Sequence, residues 1–331
     1  MKKYIYLIGL LLSAFFTSCG SVSVLTYDQL CPADLSFPSG IRQVGVVNNS
    51  APRAVKPSGD LILGVFQGEG TALSEALATN LADSKFFDQV IICDSALQDM
   101  GTDPIADPEL SVDKVNLLTT DLGVDLLISI EALWVQTSKK KIQYPGWDIP
   151  IDALQATATP LVRIYLPGKA HPLYTMTPSD SIFCDLGAPL SEKIILDEVT
   201  KMMADKVTNY LVPTWKQVER PYFTGGGIEM RDAAVCINEG NWQEAQNYWK
   251  SFYDRLKKGN MKARVSYNIA LSYEMLGDLE EALKWIHQSA EYAKANTQEE
   301  QLIKHYSHAL TRRIQEMVSL NSQMNRFNNN F

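Results

Sequence analysis

The 331-residue sequence predicts an α/β domain, a mixed sheet with flanking helices, followed by an all-α domain of paired helices. Three observations carry that prediction. Up to residue 212, short β-branched and apolar runs alternate with amphipathic stretches, as in a sheet layered against helices. Beyond residue 227 the strand signals stop and only helical periodicity continues. Between the two, residues 213–227 hold Pro213, Pro221 and three consecutive glycines, which break helices and mark a linker.

The chain opens with Lys2 and Lys3, an apolar run over 4–16, then Thr17, Ser18 and Cys19. Such a run is too short to cross a bilayer core of about 30 Å as a helix. With its basic start and small-residue exit it predicts a signal peptide over 1–18. Residues 19–40 follow as a tether, and 41–212 as the α/β domain. Within that domain, residues 41–47 predict a short strand and 53–70, rich in Pro and Gly, a loop. Thr71 is the expected cap of a helix to residue 83, with Leu73, Leu77 and Leu81 on one stripe. A buried strand is expected at 87–93 and a helix at 112–122, stopped by Gly123. The segment 125–136 is the longest strand signal, after which Lys139, Lys140 and Lys141 mark a solvated hairpin tip. Strands at 157–166 and 173–184 joined by Pro167-Gly168 make the sheet mixed, and an amphipathic helix covers 190–211. Helical repeats with a capping helix are expected over 228–320 and a flexible tail over 321–331.

Composition narrows the function classes. Hydrophobic residues are 46% and charged residues 21% of the chain, as in a globular protein, which excludes disordered and collagenous chains. The net charge of −8 repels phosphate backbones and argues against nucleic acid as a partner. Cys31, Cys93, Cys184 and Cys236 are an even set without a CxxC pair. An oxidising compartment permits disulfides among them, while their apolar settings also suit buried thiols.

Thr17-Ser18-Cys19 resembles the lipobox of bacterial lipoproteins. That resemblance implies diacylglycerol on Cys19, palmitate-type acylation and attachment to the membrane through the N-terminal lipid. Gly20 and Ser21 lack the acidic residues of inner-membrane retention and surface export, which implies the periplasmic face of the outer membrane. Residues 264–290 resemble a tetratricopeptide repeat, with Ile269 and Ala270 in the Leu-Gly place, Tyr273 in the aromatic place, Gly277-Asp278 at the turn, and Ala282, Ile286 and Ser289 on the second helix. Gly240-Asn241-Trp242, Ala245 and Trp249 form a weaker second copy. The segments VGVVNN, FFDQVIICD and LGVDLLISIEAL resemble, in their order, the α/β domain of lipoproteins related to curli secretion and to activation of penicillin-binding proteins. Taken together with VPTWKQVERPYF and GNWQEAQNYW, the chain resembles an uncharacterised Bacteroides-type lipoprotein family with a tetratricopeptide C-terminus.

No residue set predicts an enzyme, and neither cofactor nor metal is implied. His305 and His308 are at best half a zinc site. Asp125 and Glu131 are the acids embedded in a strong strand, but six residues of strand set them roughly 20 Å apart, too far for a glycosidase pair. The expectation is a non-catalytic, lipid-anchored envelope protein that contacts another envelope protein. An envelope hydrolase and a homo-oligomeric subunit are the alternatives. In tetratricopeptide arrays the first helix of each repeat lines the concave groove. By that resemblance Met230, Arg231, Asn238, Arg264, Tyr267, Leu271 and Glu274 are the expected partner-binding residues.

Overall fold

A computed structural model describes residues 22–52, 63–93, 96–98, 109–143, 149–186 and 190–325. The signal segment and Cys19 lie outside these residues. In chain order the elements are β1 (Val22–Cys31), β2 (Gln43–Asn48), β3 (Gly64–Gln67), α1 (Gly70–Ser84), β4 (Gln89–Cys93) and α2 (Val112–Leu122). Then follow β5 (Leu126–Ile142), β6 (Ile151–Tyr165), β7 (Tyr174–Met176), β8 (Asp180–Asp185), α3 (Glu192–Leu211) and β9 (Thr214–Phe223). The helices α4 (Ile228–Asn238), α5 (Trp242–Arg255), α6 (Asn260–Met275), α7 (Leu279–Tyr292) and α8 (Gln298–Met324) complete the chain. The chain forms two compact units, an α/β unit built on residues 32–214 and a helical unit built on 215–322 together with β1.

The α/β unit holds one seven-stranded mixed sheet in the order β4-β2-β5-β6-β7, with β3 also on β5 and β8 also on β6. Its frame is the long antiparallel pair β5–β6. Along one side of β5, the parallel strand β2 occupies Leu126 to Ile130 and the antiparallel strand β3 occupies Trp134 to Thr137. A bulge lies between those stretches, where Ile130 and Ala132 pair with the adjacent residues Val162 and Leu161, leaving Glu131 extra. One extra residue reverses the facing of everything after it. Leu126, Ile128 and Ile130 face the larger core before the bulge, and Leu133 and Val135 face it afterwards. That core holds the apolar stripes of α1 and α3. Val47, Leu127 and Tyr165 lie on the other face with Val115 and Leu118 of α2. Helices therefore cover both faces, as parallel strands require.

Four expectations change here, the first being the loop expected over 53–70, which holds the strand β3. Thr71 does not cap α1: the N-cap is Glu69, without a side-chain cap bond, and the Thr71 hydroxyl instead accepts from Asn48 Nδ2 at 2.9 Å. Lys139, Lys140 and Lys141 continue β5 rather than turning, because β6 starts early enough to pair with them. The strand expected over 173–184 is two short ones, β7 and β8, set in series along β6. By contrast α2 keeps its expected bounds, with Ser111 as N-cap and Gly123 in the left-handed region at φ 66°. No disulfide joins Cys31, Cys93, Cys184 and Cys236 among the described residues.

The helical unit contains two hairpins, α4–α5 and α6–α7, and the long helix α8. Both hairpins turn the same way. Gly240 and Gly277 take positive φ, and the next residue, Asn241 or Asp278, caps the second helix by accepting the backbone N–H three residues on. Ala233, Ala245, Ala263, Ala270 and Ala282 are fully buried, and such small residues let neighbouring helices approach closely. The expected linker over 213–227 is largely the strand β9, and much of the expected tether over 19–40 is the strand β1; the two pair as a separate ribbon. The tail expected from residue 321 is helical through Met324. No helix among the described residues is long and apolar enough to cross a membrane.

Candidate functional site

In the α/β unit, the carboxyl end of β2 and the bulge of β5 beside it carry a chain of polar side chains, at the kind of place where open α/β sheets commonly bind ligands. Gln98 Nε2 donates to Asn49 Oδ1 at 2.9 Å, and Asn49 Nδ2 donates to Glu131 Oε2 at 2.5 Å. Tyr165 Oη donates to Glu131 Oε1 at 2.9 Å and accepts the Leu110 N–H at 3.2 Å. Glu131 is 2% exposed. Burial raises its pKa, and the hydrogen bonds from Asn49 and Tyr165 only partly counter that. Burial and the neighbouring carboxylate push the Tyr165 phenol up as well. Each Glu131 oxygen already accepts a hydrogen bond and the side chain is closed to solvent, so this geometry locks the bulge and presents no carboxylate to a substrate. Asp125 sits at the opposite end of β2, where its Oδ2 accepts the N–H groups of Arg42 and Gln43. The two acids are thus one at each end of a strand, and they do not form a pair.

The helical unit centres on a second buried carboxylate, Glu274 of α6. Tyr27 of β1 donates to its Oε1 at 2.9 Å and Tyr306 of α8 donates to its Oε2 at 2.7 Å. Arg220 of β9 adds a fork, Nη2 to Oε1 at 3.0 Å and Nε to Oε2 at 3.1 Å. Both side chains of this ion pair are nearly enclosed, 12% exposed for Arg220 and 4% for Glu274. The guanidinium also lies over the rings of Tyr27 and Tyr306, at 5.9 and 5.7 Å. Burial alone would lower the Arg220 pKa, but its hydrogen bonds to Glu274 and that charge raise it. Burial, reinforced by Glu274, lifts the phenols of Tyr27 and Tyr306, so both remain neutral donors at physiological pH. Nearby, Asn268 grips the end of β9: Phe223 N–H donates to Asn268 Oδ1 at 2.9 Å and Asn268 Nδ2 donates to Phe223 O at 2.6 Å. Arg313 of α8 reaches the Leu30 carbonyl of β1 at 2.7 Å.

The ribbon of β1 and β9 therefore lies against α6, on the helix face expected to receive a partner. Of the seven expected contact residues, Met230, Tyr267 and Leu271 are fully or almost fully buried, and Glu274 is closed in by Tyr27, Arg220 and Tyr306. Tyr267 packs edge-on against Phe223. Arg264 lies over the Phe223 ring and pairs with Glu299. Met230, Tyr267, Leu271 and Glu274 thus serve the unit's interior, and Arg264 is half-buried against the end of β9. Arg231 and Asn238, on the outer side of α4, are exposed. The sequence reading missed Tyr27, Arg220 and Tyr306. The signal for the first two was present: Leu25 and Tyr27, and Val218, Arg220 and Tyr222, recur at the period-two spacing of one strand face. No group of three or more His, Cys, Asp and Glu residues that could hold a metal ion occurs among the described residues.

Residues 41–223, more than half of the chain, match the family described as a domain of unknown function, DUF8603, and residues 231–312 match another, DUF6340. No curated protein matches the chain. Solved structures similar to it include the hypothetical protein CT253 from Chlamydia trachomatis, 12% identical, covering 51% of this chain and 97% of that one at a TM-score of 0.29. A minor lipoprotein from Acinetobacter baumannii is 7% identical over 53% of this chain and 97% of its own, at 0.25. The rare lipoprotein B from Shewanella oneidensis is 11% identical over 50% and 90%, at 0.21. Likenesses of that size leave the reading of this chain to its own residues.

Two predictions come from the two carboxylates. Arg220→Met alone leaves Glu274 charged and buried, and chemical denaturation should show a loss of roughly 3–5 kcal/mol. Arg220→Met with Glu274→Leu should be clearly less destabilised than that single variant; equal or greater loss for the pair would contradict the assignment. For Glu131 the folded pKa lies above its ordinary value of 4.5. Its stabilising contribution is then present below that ordinary value and is lost as pH rises through the folded pKa. The melting temperature of the α/β unit should accordingly fall across that window, and Glu131→Gln should flatten the fall. An unchanged pH slope in the variant would count against the raised pKa.

Proposed function

The chain belongs to the DUF8603 family, and on its residues we propose that it is a non-catalytic, lipid-anchored envelope protein whose helical unit serves as a protein-contact surface. The observation that carries this reading is the outer side of α4. Ile228 and Val235 are 62% and 55% exposed and share that side with Arg231 and Asn238, which follow at helical spacings of three, four and three residues. Exposed apolar residues aligned with a cation on one helix face suit docking better than solvation. The tetratricopeptide-like reading is supported by the two hairpins with matching Gly-Asn and Gly-Asp turns. The usual groove of such arrays is taken by the chain's own ribbon, so contact is assigned to the α4 side.

Anchoring rests on the lipobox-like approach to Cys19. Gly20 and Ser21 support the periplasmic face of the outer membrane. Cells fed a clickable palmitate analogue should label the protein, and Cys19→Ala should abolish the label. A photo-crosslinking residue at position 235 should give a defined protein adduct in the native envelope, whereas one at Phe183, exposed on β8, should not. Persistent labelling of Cys19→Ala, or no adduct from position 235, contradicts the proposal.

A further inference from the structure

The helical unit carries a cleft as well as the exposed α4 side. About 470 Å³ in volume, it is a shallow, wide-mouthed depression where the α6–α7 turn meets α8, lined by Leu276, Leu279, Ile314 and Met317. Gly277, Asp278 and Glu280 complete the lining, and both acids are exposed. The Asp278 carboxylate already caps α7 through Oδ1, which accepts the Glu281 N–H at 3.0 Å. Glu280 is the acid at the mouth that is not used as a cap. An apolar cleft with an acidic rim calls for an occupant that offers apolar side chains beside a cation. Helices enter such grooves through anchors spaced three, four or seven residues apart.

The α4 side has that chemistry. Ile228 and Val235 are seven residues apart, two helical turns, with Arg231 between them on the same side. We propose that the α4 side of one copy of this chain seats in the α6–α7–α8 cleft of another. Ile228 and Val235 pack on the cleft's apolar lining, and Arg231 meets Glu280. The contact is heterologous, because it joins two different surfaces, so each copy offers one of each and assembly runs head to tail. It extends a helical array of only two hairpins, fewer than the three or more units such stacks usually need. The proposal rests on the reading of α4 as a contact surface and adds the identity of what it contacts. It does not depend on the lipid.

The test uses the full chain from residue 19 onward with Cys19→Ser, followed by sedimentation velocity over a concentration series. Wild type should assemble with rising concentration. Arg231→Glu and Glu280→Arg should each raise the assembly midpoint by about tenfold or more, because each sets like charges against one another at the junction. Both substitutions touch exposed side chains, and circular dichroism should show an unchanged fold. Mixing the two single variants should restore assembly in a one-to-one ratio, since every junction then pairs Arg with Glu. The doubly substituted chain should assemble alone. A wild type monomeric throughout, single variants that assemble like wild type, or a mixture that stays monomeric overturns the proposal. If position 235 nevertheless crosslinks a different envelope protein, the contact surface stands and self-assembly alone fails.

Discussion

Glu274 is the group on which the helical unit depends. A single buried carboxylate on α6 takes hydrogen bonds from β1, β9 and α8, so three elements far apart in sequence meet at two oxygen atoms. Such a site is costly to assemble, because charges leave water before they meet. It is correspondingly specific: the fork of Arg220, the two phenols and the carboxylate satisfy one another only in this arrangement. The reward is geometric. The first described strand of the chain is fastened to helices nearly 250 residues later, and the groove of the helical hairpins is closed by the chain's own ribbon.

The α/β unit uses a buried carboxylate to a different end. Glu131 is the extra residue of a bulge, at the point where β2 stops and β3 has yet to begin along β5. The bulge keeps both halves of a seventeen-residue strand facing the same core, although its parity changes midway. Asn49 and Tyr165 hold the bulged side chain from β2 and β6. In both units, then, a buried acid is engaged in holding elements together.

The sequence was informative where local rules act alone. The helix at 112–122 was legible because its apolar periodicity and its stop signal, Gly123, are local, while its N-cap, Ser111, was seen only in the structure. The two Gly-Asx turns were legible for the same reason. The ribbon was not. Pro213, Pro221 and the glycine run look like a linker, yet proline is tolerated on a two-stranded ribbon, where edges are open. Pairing between β1 and β9 is set by contacts nearly two hundred residues apart, which no local window contains. The expected groove residues were misplaced for that reason: Met230, Tyr267, Leu271 and Glu274 do lie on first helices of their hairpins, but the resemblance could not reveal that the chain supplies its own occupant. Arg231 and Asn238 stayed outside because they sit on the other side of α4.

The most direct test of this account is hydrogen exchange, followed by mass spectrometry, on the intact chain. If the ribbon is an integral part of the helical unit, the hydrogen-bonded amides of Val22–Cys31 and Thr214–Phe223 should exchange as slowly as those of Asn260–Met275, and Glu274→Gln should speed the two strands together. Rapid exchange of the strands beside a protected α6 would mean that the groove is open in solution, and would contradict the central claim.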